Sequence, residues 1–116
     1  MRFRLALWVL LLLLPGPVPA QQAGGPAEIA VAELPLEARE TLRLVKQGGP
    51  FPYERDGAVF GNFERLLPQR SRGYYLEYTV RTPGVKSRGA RRIVAGRGGE
   101  FYYTEDHYRS FKRVRE

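Results

Sequence analysis

One carboxylate, one imidazole and a cluster of guanidinium groups stand out in the second half of the chain. Glu77 sits inside the strand-like run YYLEYTVRT, and His107, the sole histidine, follows thirty residues later in EDHYRS. Between them, KSRGARR carries Lys86, Arg88, Arg91 and Arg92. These residue types suit the metal-free cleavage of an RNA phosphodiester. One group takes a proton, one gives a proton, and fixed cations hold the phosphate. Taken singly, Glu77 is a cross-strand partner for an arginine such as Arg92, and His107 a surface or capping residue. Only together do they make a reacting set.

The elements that must position these groups come from the patterning. Pro35 to Gln47 reads as the one helix, with Pro35 at its first position and Glu37 and Glu40 near the positive end of its dipole. Ala38, Leu42 and Val45 recur at helical spacing toward a core, and Gly48-Gly49-Pro50 ends the helix. Ala58 to Phe60 reads as a short strand after the Asp56-Gly57 turn. Tyr74 to Thr82 is the strongest strand: Tyr74, Leu76, Tyr78 and Val80 take one face, Tyr75, Glu77, Thr79 and Arg81 the other. Further strands are expected over 91–95, 101–104 and 110–114, separated by Pro83-Gly84 and by Gly96, Gly98 and Gly99. The fold class is therefore α+β. One N-terminal helix packs on one face of a twisted antiparallel sheet, and the other face is left open for a ligand.

Composition sets the frame. Arg2 and Arg4 precede ten apolar residues from Leu5 to Leu14, followed by Pro15 and a Val18-Pro19-Ala20 cleavage-like site. This is the pattern of a secretory signal peptide over 1–20. The expected product is a secreted protein with no stable membrane association. Residues 21–33 are Gly- and Ala-rich and expected to be flexible, and 34–116 form a single domain. There is no cysteine, so packing and hydrogen bonds must hold the domain. With one histidine and scattered acids, neither metal nor cofactor is expected. The chain carries 19 Lys and Arg against 12 Asp and Glu, a net charge of +7. Most of the basic residues are arginine, whose planar fork fits phosphate.

Three blocks, FPYERDGAVFGNFE, GYYLEYTVRTPGVKSRGARRIV and YYTEDHYRSF, together resemble the microbial guanyl-specific ribonucleases, the group containing barnase and the secreted streptomycete enzymes. The resemblance runs from about Leu34 to Val114. It implies Glu77 as general base, His107 as general acid, and Arg88 and Arg92 as phosphate-binding groups. Arg91 falls on the opposite strand face and ranks lower. It also implies a guanine-binding loop of Phe60, Gly61, Asn62, Phe63 and Glu64. Backbone N–H groups there reach O6, while the Glu64 carboxylate accepts from N1–H and the exocyclic amine. Asn62 would shape the loop. Phe60 and Tyr108 would stack on the base, Phe60 being equally a core anchor. Gly61 and Phe63 stand where secreted relatives commonly carry Gln and Arg. The backbone donors survive that change, so guanine preference is expected to persist.

The implied function is an exported guanyl-preferring endoribonuclease acting on single-stranded RNA through a 2′,3′-cyclic phosphate, as a monomer, with a bell-shaped pH–rate profile. Two other readings share the scaffold. One is a non-catalytic RNA- or polyanion-binding module, which would not need Glu77 and His107 together. The other is an antibacterial toxin with an acidic, barstar-like inhibitor protein.

Overall fold

The computed structural model describes residues 25–116; the expected signal peptide over 1–20 lies outside them. Six strands and one helix follow in the order β1 (Ala27–Ala30), α1 (Leu36–Gln47), β2 (Ala58–Val59), β3 (Tyr75–Thr79), β4 (Arg92–Gly96), β5 (Phe101–Thr104) and β6 (Lys112–Arg115), with a 3-10 turn at Val31–Glu33 after β1. They form one sheet in the order β1-β6-β5-β4-β3-β2. All neighbouring pairs are antiparallel except β1 with β6.

The sheet is thus the expected antiparallel one but for that single edge pair, and residues 27–33 supply β1 and the 3-10 turn. Ile29 pairs with Val114 across the edge, and Ile29 packs against the helix-side core. The apolar side chain and the free edge of β6 together outweigh the Gly/Ala-rich composition. Pro35 is also displaced from its expected place. It is the N-cap, with extended ψ of 151°, and the helix begins at Leu36. At the other end, Gly48 closes the helix in the left-handed conformation, φ 85°, its N–H reaching the carbonyls of Leu44 and Val45.

The sheet carries a core on each face. On the helix side, Ala38 and Leu42 pack with Leu34, Tyr78, Val80 and Ile93. On the opposite face Leu67, Tyr75, Val94, Tyr102 and Phe111 form a second cluster. That face is therefore not fully open, as the pattern had suggested. Loops before β3 and before β6 fold over it. At one end of that face Thr79, Arg92 and Thr104 lie side by side in register, and Glu77 beside Val94.

Candidate active site

Strand alternation puts Glu77 on the face away from the helix, and its neighbours bury it to 6% exposure. Three arginines converge on its carboxylate. Arg88 donates from Nη2 to Oε1 at 3.0 Å. Arg92 Nε lies 3.6 Å from the same oxygen, and Arg55 Nη2 lies 3.7 Å from Oε2. Arg88 is further fixed by its Nε bond to Thr79 Oγ1. Arg92, 3% exposed, uses Nη1 on the carbonyls of Gly89 and Arg91. Its Nε has no hydrogen-bond partner among the described residues. Glu77 is thus a cross-strand partner of arginine and also the centre of a cationic floor with donor capacity to spare.

Arg55 was missed in the sequence. It arrives through β2, where Ala58 pairs with Glu77. The turn that carries it is tied down by Gly57 N–H to Glu77 O at 2.8 Å and Thr79 N–H to Asp56 Oδ1 at 2.7 Å. Arg91 goes the other way, as its strand face requires, and lies 3.9 Å from Glu37 of α1. Lys86 is exposed on its loop and forms no ion pair among the described residues.

His107 comes from the loop between β5 and β6. Both His107 and Tyr108 adopt left-handed backbone, φ 56° and 73°, which is rare for such side chains in succession. A local network over-determines them. The Thr104 hydroxyl donates to Asp106 Oδ1 and accepts from Tyr108 N–H. Asp106 also accepts from the N–H and hydroxyl of Ser110. His107 N–H reaches Ala90 O at 2.9 Å, which ties the loop to the segment between Arg88 and Arg92.

Tyr108 lies between the two reacting groups. Its ring centroid is 4.9 Å from that of His107 and 5.9 Å from the Arg92 guanidinium. Its buried hydroxyl has no partner in hydrogen-bonding geometry among the described residues. Burial first, and then the Glu77 carboxylate, push its pKa up to about 12. The expected stacking surface is thus largely internal: Tyr108 packs on Phe60 at 4.7 Å between centroids.

Beyond Tyr108 opens a cavity of about 320 Å³ lined by Phe60, Phe63, Glu64, His107, Tyr108 and Arg109, among others. Glu64 is exposed there and forms no ion pair among the described residues. Phe60 serves as core anchor and wall at once, touching Phe111 in the second cluster as well as bordering the cavity. Asn62, at φ 55°, braces the loop. Its side-chain amide donates to Leu67 O and its Oδ1 accepts from Leu67 N–H. Leu67 is 2% exposed, so the loop is pinned to the core. Gly61 lies under the Phe63 ring, and a Cβ there would come within 2.5 Å of it. Phe63 itself is 85% exposed. Arg109 also lines the cavity, a position that nothing in its local sequence signalled.

Tyr108 joins the buried carboxylate and its arginines to the exposed imidazole, and His107 and Tyr108 both border the apolar cavity that carries Glu64. A family model described as ribonuclease matches residues 17–115. Guanyl-specific ribonuclease St of Saccharopolyspora erythraea is 52% identical over 94 residues, which is 81% of this chain and 93% of that protein. Guanyl-specific ribonuclease Sa of Kitasatospora aureofaciens is 52% identical over 87 residues, 74% of this chain and 91% of that protein. A crystal structure of ribonuclease Sa2 with guanosine-2′-cyclophosphate matches with a TM-score of 0.76 and 46% identity, covering 78% of this chain and 97% of that one.

Proposed function

The chain belongs to the ribonuclease family, and from that membership we propose how its own residues cleave RNA after guanosine. It is a guanyl-preferring endoribonuclease that forms a 2′,3′-cyclic phosphate. The observation that carries the residue roles is the convergence of Arg88, Arg92 and Arg55 on buried Glu77, with Tyr108 joining that floor to His107.

Glu77 takes the proton from the ribose 2′-hydroxyl. The 2′-oxygen attacks phosphorus, the bond from phosphorus to the 5′-oxygen breaks, and His107 supplies the proton to the departing oxygen. Water then opens the cyclic phosphate to a 3′-phosphate with the two roles exchanged. Arg88 and Arg92 hold the non-bridging oxygens. The unpartnered Arg92 Nε and Tyr108 hydroxyl are preorganised donors for that charge. Arg55, largely exposed, adds to the field around Glu77. Single-stranded RNA is the substrate, since a splayed base is needed for edge reading.

Guanine selection falls to Glu64 and the backbone of the loop from Phe60 to Glu64. A carboxylate matches the two adjacent donors that only guanine presents on that edge. Phe63 covers the base from the loop side and Phe60 from the core side. Gly61→Ala should push the Phe63 ring aside without straining the backbone. With stacking worth ~1–3 kcal/mol per base, KM for guanylyl-(3′,5′)-cytidine should rise about fivefold or more at unchanged Tm.

The test of the whole reading is incubation of the protein with that dinucleotide in EDTA. Cyclic guanosine phosphate should appear, and Glu64→Ala should raise KM for it while narrowing the gap to the adenine dinucleotide. Absence of cyclic product across the pH range would leave only a binding module.

Export through residues 1–20 and a monomeric state complete the proposal. Among the described residues, the exposed large apolar side chains Leu36, Val59 and Val85 lie on separate segments, while Phe63 and Leu66 border the base cavity. The arginine floor would suit an acidic inhibitor that mimics phosphates.

A further inference from the structure

The guanine loop has a second side. There, Gly61, Asn62, Phe63, Arg65, Gln69 and Arg70 enclose a cavity of about 230 Å³. Among the described residues, no acidic one lines it. Arg65 and Arg70 are both exposed, and neither makes an ion pair among the described residues. Arg65 sits at φ 60° at the end of a turn closed by its own N–H to Asn62 O. Arg70 is held over the Tyr74 ring at 5.4 Å and donates to Gln69 O. Tyr74 in turn is fixed by its hydroxyl bond to Glu100. Two guanidinium groups are therefore kept at a concave site with their charge uncompensated, unlike the three committed to Glu77.

We infer that this cavity binds a phosphate of the RNA strand on the 5′ side of the guanosine. The inference rests on the guanyl-nuclease reading of the neighbouring site. The direction follows from the layout. The leaving nucleotide departs on the His107 side, and His107, Tyr108 and Arg109 all border the base cavity. The second cavity shares Asn62 and Phe63 with the base cavity but none of those three. A strand whose guanine is held by the loop reaches the far side through its upstream sugar-phosphate. Arginine forks and the Gln69 amide supply donors for phosphate oxygens in a sequence-independent way. Substrate length, as well as the guanine, then sets the efficiency of cleavage.

The experiment compares Arg65→Gln/Arg70→Gln with wild type on guanylyl-cytidine, on that dinucleotide extended by two uridines at its 5′ end, and on the same extended at its 3′ end. Both side chains are exposed, so the fold should hold, with Tm as the check. The double variant should lose about tenfold in kcat/KM on the 5′-extended substrate alone, the size of one charge-assisted contact. The slope of log kcat/KM against log salt on that substrate should become shallower by about 0.7, the value for one phosphate on a single strand. Equal loss on all three substrates, loss confined to the 3′-extended one, or no loss would each overturn the inference. If wild type fails on the plain dinucleotide, the nuclease reading fails instead. Oligouridylate binding by fluorescence anisotropy then still decides the cavity, through its loss or persistence in the double variant.

Discussion

Glu77→Gln and His107→Gln should each lower kcat on guanylyl-cytidine by about 10²- to 10⁴-fold, with KM changed far less. Gln is isosteric with Glu and close to His in size, and in neither position can its amide take or give the proton. In Glu77→Gln the arginines lose their carboxylate, yet all three have other recourse, Arg88 through its bond to Thr79 Oγ1. Arg55 is open to water, and Arg92 keeps its bonds to Gly89 O and Arg91 O. The fold should therefore survive, as circular dichroism would report. Because the two groups act on one concerted transfer, the double variant should be hardly slower than either single one. A single variant retaining more than a tenth of wild-type kcat would remove that residue from the chemistry.

Asp106→Ala should reach the same reaction from a distance. It deletes the acceptor for the Thr104 hydroxyl and for the Ser110 N–H and hydroxyl, which together hold His107 and Tyr108 in left-handed backbone. Water competes for the exposed Ser110 bonds, so the loss should be about 1–2 kcal/mol rather than the sum of three buried bonds. Expressed as misplacement of the imidazole, that is roughly tenfold or more in kcat, with guanine binding little affected. The hydrogen bond from the Ser110 hydroxyl, foremost, holds the Asp106 carboxyl below the usual carboxylate range. A lowered folded value means its stabilisation is complete above the ordinary carboxylate pKa and is lost as pH falls through the lowered one. Wild-type Tm should accordingly drop more steeply in acid than that of Asp106→Asn, which keeps an acceptor oxygen but cannot titrate there. Parallel Tm curves from pH 2 to 6 would count against this role.

Much of the site was legible because strand periodicity is local. The alternation in YYLEYTVRT put Glu77 on the face away from Leu76 and Val80, and β4 put Arg92 on that face and Arg91 on the other. The helix was readable from Ala38 and Leu42, both buried as their spacing requires. What escaped depends on partners distant in sequence. Arg55 reaches Glu77 only through the β2–β3 register, which a two-residue strand hardly advertises. β1 owes its existence to β6, eighty-five residues later, and no feature of AEIA signals parallel pairing. The second core drew in Phe111, and Ser110 was spent on Asp106, so β6 begins at Lys112 rather than at Ser110. Asp106 read as an ordinary turn acid, because its task is set by the dihedral angles it supports.

The outer strands of the sheet have a consequence for a cysteine-free protein at high concentration. An unpaired strand is a template for edge-to-edge growth into aggregates. Here one margin is β2, two residues long, and the other is β1, four residues long and bearing the exposed Glu28–Arg115 ion pair. Neither offers a foreign chain enough flat backbone to dock. Colloidal stability is thus built into the ladder's ends, while the longer β3 and β4 lie inside it, beyond the reach of neighbours.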